Sequence, residues 1–313
     1  MTQEPVQSAA IRDVTVRDGL QLTGKSLTTE RKVEVIRSLF ALGVTEIEIG
    51  SMARPDLIPQ LADSLEVAAA LTPAELASSW MWVATPQHVR KAAAVGVVNF
   101  QYVVSVSGSH NQANVARTTD VSMDGLPEAI EVAKSVGGVM QLGLATAFTC
   151  PFEGVIDPDR VLEIINDPRT EGLDEVVLCD TLGQARPSEV SSLVRKVREL
   201  SPVRRIGYHG HDTWGMGVAN TLAAVAAGAT MVDSALGGLG GCPFAPGASG
   251  NAATEDVSYA LEPEWLDPAS FATMVRLSQR LLAELGEPNR SRAVDGSRST
   301  ACAFPWVLAD SQR

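Results

Sequence analysis

The chain has 313 residues, of which 45% are hydrophobic, so it is long enough for one large domain or two small ones. Its formal net charge of −12 argues against non-specific binding to nucleic acid or to a membrane surface, so an anionic substrate would need a local group of Arg or Lys side chains. No apolar run is long enough for a transmembrane helix, and the short polar segment 1–9 lacks the features of an export or import signal.

Short β-branched runs alternate with amphipathic stretches along most of the chain. The runs predicted as strands cover residues 11–16, 46–49, 80–84, 97–106, 139–147, 175–179, 205–209 and 230–235. The stretches predicted as helices cover residues 28–42, 56–71, from 86 onward, 126–136, 158–165, 187–200, 214–227 and from 251 onward. A long polar loop is expected before the helix at 126, and a further helix is predicted over 268–285.

Strands and helices that alternate at this spacing form a parallel sheet, and eight such units indicate a closed (β/α)8 TIM barrel rather than an open sheet. We therefore expect a single barrel domain over residues 1–313, with the barrel at about 10–262 and a helical extension at about 263–313. The helix of the extension has clear boundaries: Asp267 suits its N-cap, Pro268 its first position and Gly286 its end.

In such a barrel the chemistry lies at the carboxyl-terminal ends of the strands. Polar and ionisable residues gather at the predicted strand ends, although they come from distant parts of the sequence. They are Arg17, Asp18, Glu48, Thr146, Asp180, His209, His211, Asp212, Cys242 and Asn251. Each also has a purely structural interpretation: Asp18, Asp180 and Asp212 could cap turns, and Arg17 could form an ion pair with Glu48.

The pair His209 and His211 is the sharpest of these features. Side chains at positions i and i+2 of a strand point to the same side, so two imidazoles at one strand end can bind one metal ion. Asp18 and Asn251 would add oxygen ligands from other strands, and this mixed set does not by itself select among Zn, Fe, Ni, Mg and Mn. The alternative is that both histidines are hydrogen-bonded core residues.

A glycine-rich stretch at residues 237–256 follows the eighth strand. Glycine lets the backbone adopt positive φ and approach a ligand closely, and Cys242 lies in the middle of the stretch before Pro243. The simpler alternative is a long turn that ends in a helix capped by Ser249 or Asn251. An exposed thiol is a chemical liability unless the protein uses it, which favours a functional role for Cys242.

The four cysteines are Cys150, Cys179, Cys242 and Cys302, and no two of them form a CxxC pair. This pattern favours a reducing compartment over a disulfide framework or a structural zinc site, so we expect a cytoplasmic protein. The apolar neighbours of Cys150 and Cys179 indicate that these two thiols act as small hydrophobic residues.

These motifs together resemble the 3-hydroxy-3-methylglutaryl-CoA lyase family, a group of metal-dependent barrel lyases. The resemblance spans about residues 10–262 and rests on Arg17-Asp18-Gly19-Leu20-Gln21, Glu48, Asp180-Thr181, His209-x-His211-Asp212-Thr213 and the run 238–256. It implies that Asp18, His209, His211 and Asn251 bind Mg²⁺ or Mn²⁺. It also implies an acyl-CoA substrate and a homodimer.

The resemblance also implies catalytic roles, and Asp18 and His209 belong to this set as well as to the metal ligands. Arg17 would stabilise an oxyanion and Glu48 would orient Arg17. Asp180 would contact substrate or a metal-bound water, and Cys242 would be the catalytic thiol on a mobile loop.

The implied reaction is a retro-Claisen cleavage of a 3-hydroxyacyl-CoA to acetyl-CoA and a keto acid. The sequence departs from the family at Leu22-Thr23, where Asn-Glu is usual, and at Ser51-Met52, where Ser-Phe is usual. These departures leave the acyl group open, and a larger or more apolar one is our hypothesis. Two alternatives remain: a Claisen-type condensing acyltransferase of the same superfamily, and a non-catalytic barrel that only binds a ligand.

Overall fold

The computed structural model describes residues 9–201, 204–241 and 249–297. Eight parallel strands close into a barrel in the order β1, β2, β3, β4, β5, β8, β9, β10 and back to β1. They are β1 (Ala10–Asp13), β2 (Glu46–Ser51), β3 (Ser79–Val83), β4 (Asn99–Ser105), β5 (Val139–Ala145), β8 (Glu175–Asp180), β9 (Arg205–Gly210) and β10 (Met231–Ser234). The short strands β6 (Thr149–Cys150) and β7 (Gly154–Val155) pair as an antiparallel hairpin outside the barrel. The prediction of a (β/α)8 barrel is confirmed.

Helices connect and surround these strands. They are α1 (Thr29–Leu42), α2 (Ser64–Ala69), α3 (Pro73–Leu76), α4 (Pro86–Ala93), α5 (Gly108–Val115), α6 (Thr119–Asp124), α7 (Leu126–Ser135), α8 (Pro158–Ile165), α9 (Pro187–Leu200), α10 (Gly217–Ala226), α11 (Thr254–Leu261), α12 (Pro268–Leu285) and α13 (Ala293–Gly296). Within the described part of the chain, no helix combines the length and the hydropathy that a membrane crossing requires.

The helix ends follow the capping residues in the sequence. The Thr28 hydroxyl accepts the Arg31 amide hydrogen at the start of α1, and Gly43 ends this helix at a φ of 102°. Asp267 caps α12 by accepting the amide hydrogens of Ala269 and Ser270, and Gly286 ends it at a φ of 77°. The boundaries predicted for α12 are therefore confirmed.

Three predictions of local structure are wrong. The helix expected over 56–71 is a 3₁₀ turn, Pro59–Leu61, followed by the short α2. The expected polar loop before residue 126 contains α5 and α6, which begin after the capping residues Ser107 and Thr118. The helix expected from residue 251 begins only at Thr254, so Asn251 is available for another role.

The apolar core lies between the outer faces of the strands and the helices, whereas much of the barrel interior is polar. Arg12 of β1 donates to Gln141 of β5 over 2.7 Å, and Gln141 donates to Glu175 of β8 over 2.7 Å. Because β1 and β5 are not neighbours around the barrel, the first of these bonds crosses its interior. Residues two or four positions after these polar residues lie on the same face of their strand. They therefore also point into the barrel interior, nearer to its carboxyl-terminal rim.

Candidate active site at the carboxyl-terminal rim

The residues after β1 are wound into a π-helical turn, Thr15–Gly19, instead of continuing the strand to residue 16 as predicted. Asp13 accepts the Thr15 amide hydrogen over 2.9 Å, and the Thr15 hydroxyl accepts the Leu236 amide hydrogen over 2.8 Å. These bonds fix the turn against the loop that follows β10. A single π turn is a frequent feature of functional sites, and here it carries both Arg17 and Asp18.

Asp18, His209 and His211 converge on one point of the rim. One potential ligand atom from each of the three residues lies within 4.8 Å of the others. The Nε2 atom of His211 is 3.5 Å from Oδ2 of Asp18, and the two imidazole rings are 5.2 Å apart between centroids. Burial raises the pKa of Asp18, but its contact with His211 and the charge of Arg17 outweigh this effect and hold the pKa below its usual range.

The hydrogen bonding of this cluster is incomplete in a way that fits a cation. Both ring nitrogens of His211 and the Oδ1 atom of Asn251 are buried without a hydrogen-bond partner among the described residues. Asn251 forms an isolated β-bridge with His211, and its Nδ2 donates to Asp18 Oδ2 over 2.7 Å. Buried polar atoms without partners are costly, and a bound cation would satisfy one ring nitrogen of His211 together with the Asn251 oxygen.

His209 is oriented from behind. Its Nδ1 is 3.0 Å from Oδ2 of Asp233, which leaves Nε2 on the side of the cluster. Asp233 in turn receives two hydrogen bonds from the buried Arg12. Burial lowers the pKa of His209, but the contact with Asp233 and the charge of Asp18 outweigh burial and raise the pKa overall.

Arg17 stands beside the cluster and links it to β2. Its Nη1 donates to Asp18, its Nε is 3.3 Å from Oε2 of Glu48, and its guanidinium lies 5.4 Å over the ring of Trp82. Glu48 is buried, and burial raises its pKa against the opposing charges of Arg17 and Arg12. The arrangement holds one cationic group at the mouth of the barrel, next to the predicted metal ligands.

The glycine-rich loop passes directly over the cluster. Gly240 has a φ of 117°, and a Cβ at this position would lie 2.7 Å from Asp18 Oδ2. Only glycine allows the backbone to approach this closely. Gln21 donates both to Asp18 Oδ1 and to the Gly241 carbonyl, so it ties the loop to the turn after β1. The predicted catalytic thiol, Cys242, lies outside the described residues.

Asp180 and Asp212 are close to the site, but their carboxylates serve local turns. Asp180 accepts the amide hydrogens of Gln184 and Ala185 over 3.1 and 3.0 Å, and Asp212 accepts that of Gly217 over 2.6 Å. Burial raises the pKa of Asp180, and these backbone hydrogen bonds oppose the rise. The backbone carbonyl of Asp180 also accepts the His211 amide hydrogen over 3.3 Å. The structural interpretation of both aspartates therefore accounts for their contacts.

Sequence reasoning missed several residues of the site. Arg12 and Asp233 lie inside predicted strands, where their position within the barrel could not be known before closure. Gln21 was noted only as part of a motif. Cys179 lies beside His209 in the register of β8 and β9, and burial raises the pKa of its thiol, in keeping with the inert role predicted for it. Arg12 and Asp233 could have been recognised because a charged residue inside a predicted barrel strand must find a partner within the barrel.

A closed (β/α)8 barrel with a carboxylate, two imidazoles and an arginine at its carboxyl-terminal rim defines a barrel enzyme with a site suited to a divalent cation. The family described as HMGL-like matches residues 8–279. The chain therefore belongs to the HMGL-like family, and it is a carbon–carbon lyase.

Individual relatives cover nearly the whole chain. A hydroxymethylglutaryl-CoA lyase of Bacillus subtilis is 32% identical over 94% of this chain and 99% of its own length. The (R)-citramalyl-CoA lyase of Chloroflexus aurantiacus is 34% identical over 90% of this chain and 93% of its own length. A solved HMG-CoA lyase from Acinetobacter baumannii, in complex with coenzyme A and 3-methylmalate, superposes with a TM-score of 0.86 at 34% identity, over 96% of this chain and 98% of that one.

Proposed function

We propose that the protein cleaves 3-hydroxy-3-methylglutaryl-CoA, or a related 3-hydroxyacyl-CoA, to acetyl-CoA and a keto acid in a metal-dependent retro-Claisen reaction. The observation that carries this proposal is the convergence of Asp18, His209 and His211 beside Arg17. The names of the relatives support the substrate class, since they include lyases for hydroxymethylglutaryl-CoA and for (R)-citramalyl-CoA.

We propose Asp18, His209, His211 and Asn251 as the metal ligands. The two oxygen donors suit Mg²⁺ or Mn²⁺ and the two imidazoles suit transition-metal ions, so the donor set does not select one metal. The proposal of Mg²⁺ or Mn²⁺ rests on the family resemblance. A bound divalent cation supplies Lewis-acid chemistry, which acidifies a coordinated hydroxyl group. The chain's own task is to hold the four donors in place, and it does so through Asp233, the His211–Asn251 bridge and the Gly240 loop.

Arg17 is proposed to stabilise the charge that develops during cleavage. The substrate hydroxyl loses its proton, the bond between the second and third carbons breaks, and the electron pair passes to a thioester enolate. A fixed cationic donor at the place where this charge develops lowers the barrier. Glu48 holds Arg17 from the side of β2, which supports its proposed role in orienting the guanidinium.

Two proton transfers complete the reaction. We propose that His209 takes part in loss of the hydroxyl proton as a ligand of the acidifying cation, held in place by Asp233, while the proton itself passes to solvent water, since a coordinated imidazole that donates from Nδ1 has no free lone pair. Cys242 is proposed to deliver a proton to the enolate carbon, on the basis of its place in the glycine-rich loop. For Asp180 we propose an indirect part, since its carbonyl supports the backbone of His211 while the loop after β8 binds its carboxylate.

An apolar wall lies beside Arg17 at the mouth of the barrel, where the guanidinium is 5.4 Å over the ring of Trp82. Trp82, Ala84, Val103 and Ala145 form one cluster at the ends of β3, β4 and β5, and each of these side chains is 5% to 8% exposed. Val103 follows Gln101 by two residues and Ala145 follows Gln141 by four, so both point to the barrel interior. We propose that this wall receives the substituent on the third carbon of the acyl group.

Two of the residues that depart from the family, Thr23 and Met52, are engaged away from this wall, whereas Leu22 is exposed. The Thr23 hydroxyl is bonded within its own loop, to the carbonyl oxygens of Leu20 and Lys25. Met52 packs against the apolar core. The hypothesis of a larger or more apolar substrate therefore rests on Trp82, Val103 and their neighbours rather than on these loops.

A panel of thioesters tests the proposal. Purified protein with Mn²⁺ would be incubated with 3-hydroxy-3-methylglutaryl-CoA, citramalyl-CoA and compounds with longer alkyl groups on the third carbon. We expect acetyl-CoA from at least one member, and Val103→Phe should reduce kcat/KM more for longer groups than for methyl. A condensation product from acetyl-CoA and an α-keto acid, without any cleavage, would instead establish the acyltransferase alternative.

We further propose that the chain forms one lyase domain, with the barrel at about 10–262 and a helical extension at about 263–313, and that it acts as a cytoplasmic homodimer. The contacts between α1 and α12 support a single cooperative unit, since Arg31 bonds Glu284 over 2.9 Å. The free thiols of Cys150 and Cys179 support a reducing compartment. Light scattering on the purified protein would give the dimer mass or refute it.

A further inference from the structure

Arg12 and Asp233 form a buried pair directly behind the proposed metal site. They are neighbours in the register of β1 and β10, and both side chains are almost completely inaccessible. Nε of Arg12 donates to Oδ1 of Asp233 over 2.8 Å, and Nη2 donates to Oδ2 over 2.9 Å. The remaining donor, Nη1, reaches Gln141 over 2.7 Å, so the guanidinium is fixed at three points. Such a fork holds a carboxylate in one orientation.

The same carboxylate contacts His209. Oδ2 of Asp233 is 3.0 Å from Nδ1 of the imidazole. An ionised carboxylate only accepts hydrogen bonds, so the histidine must carry its proton on Nδ1 for this contact to form. The lone pair of the neutral ring then lies on Nε2, the nitrogen on the side of Asp18 and His211. Orientation of a ligand histidine by a carboxylate raises its basicity and fixes its tautomer.

We propose that Arg12 is a positioning residue that sets the tautomer and direction of His209 through Asp233. The inference rests on the proposed metal site. Without the guanidinium, Asp233 would be a buried carboxylate held by one histidine, free to rotate or to turn towards a cation. Arg12 prevents both movements because it donates to Oδ1 of Asp233 and also to Oδ2, the oxygen that contacts His209. Lysine at this position would supply the charge but only a single point of attachment.

A plain structural ion pair between adjacent strands is the competing explanation. It predicts a change in stability when the pair is altered but no change in the tautomer or metal affinity of a folded variant. Glu175 provides a matched control, because it is also a buried carboxylate in the barrel interior. It accepts from Gln141 over 2.7 Å and pairs with Arg205, but it contacts none of the proposed metal ligands.

The test measures Mn²⁺ affinity from the electron paramagnetic resonance signal of the free ion, for the wild type and for Asp233→Asn, Arg12→Lys and Glu175→Gln. Loss of a carboxylate that orients a ligand histidine typically weakens metal binding about 10- to 100-fold, which is the result expected for Asp233→Asn. Arg12→Lys should weaken binding less, and Glu175→Gln should bind as the wild type does. Equal affinity of a folded Asp233→Asn variant and the wild type would overturn the proposal.

A second readout needs no metal. Nitrogen-15 NMR of the imidazole side chains, at a pH where His209 is neutral, should show the proton on Nδ1 in the wild type and a shift towards Nε2 in Asp233→Asn. The same tautomer in both would contradict the proposal. If the wild type itself bound no Mn²⁺, the metal site would be refuted, while the His209 tautomer, compared among the wild type, Arg12→Lys and Asp233→Asn, would still decide the role of Arg12 and Asp233. If circular dichroism shows that a single variant is unfolded, the double variant Arg12→Gln/Asp233→Asn, which removes both charges together, is measured in its place.

Discussion

Arg17 connects the proposed metal site to Glu48 of β2 and to Trp82 of the apolar wall. It contacts Asp18, Glu48 and the face of Trp82 at once. These partners use its planar, forked shape as well as its charge, so a lysine cannot replace it fully. Its place at the end of β1 was predictable from the sequence, and so was its pairing with Glu48. The contact with Trp82 was not, because it depends on how β1 and β3 are placed around the closed barrel.

Substitution of Arg17 by Lys keeps the charge and removes the fork. We expect kcat to fall about 10²- to 10³-fold with a much smaller change in KM, as for loss of one donor to a developing oxyanion. Steady-state kinetics with the best substrate of the panel would measure both constants. A kcat close to that of the wild type would show that Arg17 is only a structural partner of Glu48.

Glu255 is a buried acid at the start of α11 that binds the Gly237 backbone, and it makes the stability of the fold depend on pH. Burial raises its pKa from about 4.5 to about 7, although its carboxylate accepts the Gly237 amide hydrogen over 2.9 Å. The folded protein holds this proton more tightly than the unfolded chain does. The protonated carboxyl group therefore adds to the free energy of unfolding, fully below pH 4.5, and this addition is lost as pH rises through about 7. At 1.36 kcal/mol per pH unit, the loss is on the order of 3 kcal/mol.

Glu255→Gln removes this titration and keeps an acceptor for Gly237. We expect the free energy of unfolding of the wild type to fall between pH 5 and pH 8 relative to that of the variant. Urea denaturation at the two pH values would measure the difference. Parallel pH profiles of the wild type and Glu255→Gln would contradict the assignment.

At the scale of elements, helix boundaries were predictable where capping residues are unambiguous. The predicted bounds of α8, α9 and α12 agree with the structure, since each begins at a proline and α12 also ends before a glycine. The α5 segment was missed because its sequence, Gly108–Val115, is polar and shows no apolar periodicity. The helix expected at 56–71 failed because Pro59 and the turn before it interrupt the pattern.

The two glycines that end α1 and α12 both have a left-handed backbone, but only one has a close neighbour. Alanine substitutions at the two positions therefore measure separately what backbone strain and steric overlap cost in stability. Gly43 and Gly286 have φ values of 102° and 77°. A Cβ at Gly43 would lie 2.6 Å from Trp265 Cβ, whereas at Gly286 the nearest atom is Lys25 Nζ, at 3.7 Å. We expect Gly286→Ala to cost about 1–2 kcal/mol through the left-handed backbone alone. Gly43→Ala should cost more, because Trp265 must also move.

Gly24→Ala is the control for this pair, because a Cβ there meets nothing within 4 Å and φ is not in the left-handed region. Urea unfolding of the three variants would give the order Gly24→Ala, Gly286→Ala, Gly43→Ala from least to most destabilised. If Gly286→Ala and Gly43→Ala lowered the free energy of unfolding equally, Trp265 would be shown to move aside without cost, contrary to the prediction.

At the scale of the whole molecule, the barrel divides its contacts between two environments. Its outer face packs an apolar core against the helices, and its interior carries a polar layer that runs from Glu175 through Gln141 and Arg12 to Asp233. The alternation of strands and helices predicted the barrel, and the strand ends predicted Asp18, His209 and His211 at one rim. The interior layer was not predictable, because closure decides which residues of nonadjacent strands meet.

The central claim is that this rim performs metal-dependent cleavage of a 3-hydroxyacyl-CoA. The most direct test is release of acetyl-CoA from 3-hydroxy-3-methylglutaryl-CoA by reduced wild-type protein and by His211→Ala, each with Mn²⁺ or Mg²⁺ and with a chelator. We predict release that requires the metal, disappears with the chelator and is lost in His211→Ala. Undiminished release by a folded His211→Ala variant, or by the wild type in the presence of the chelator, would contradict the account.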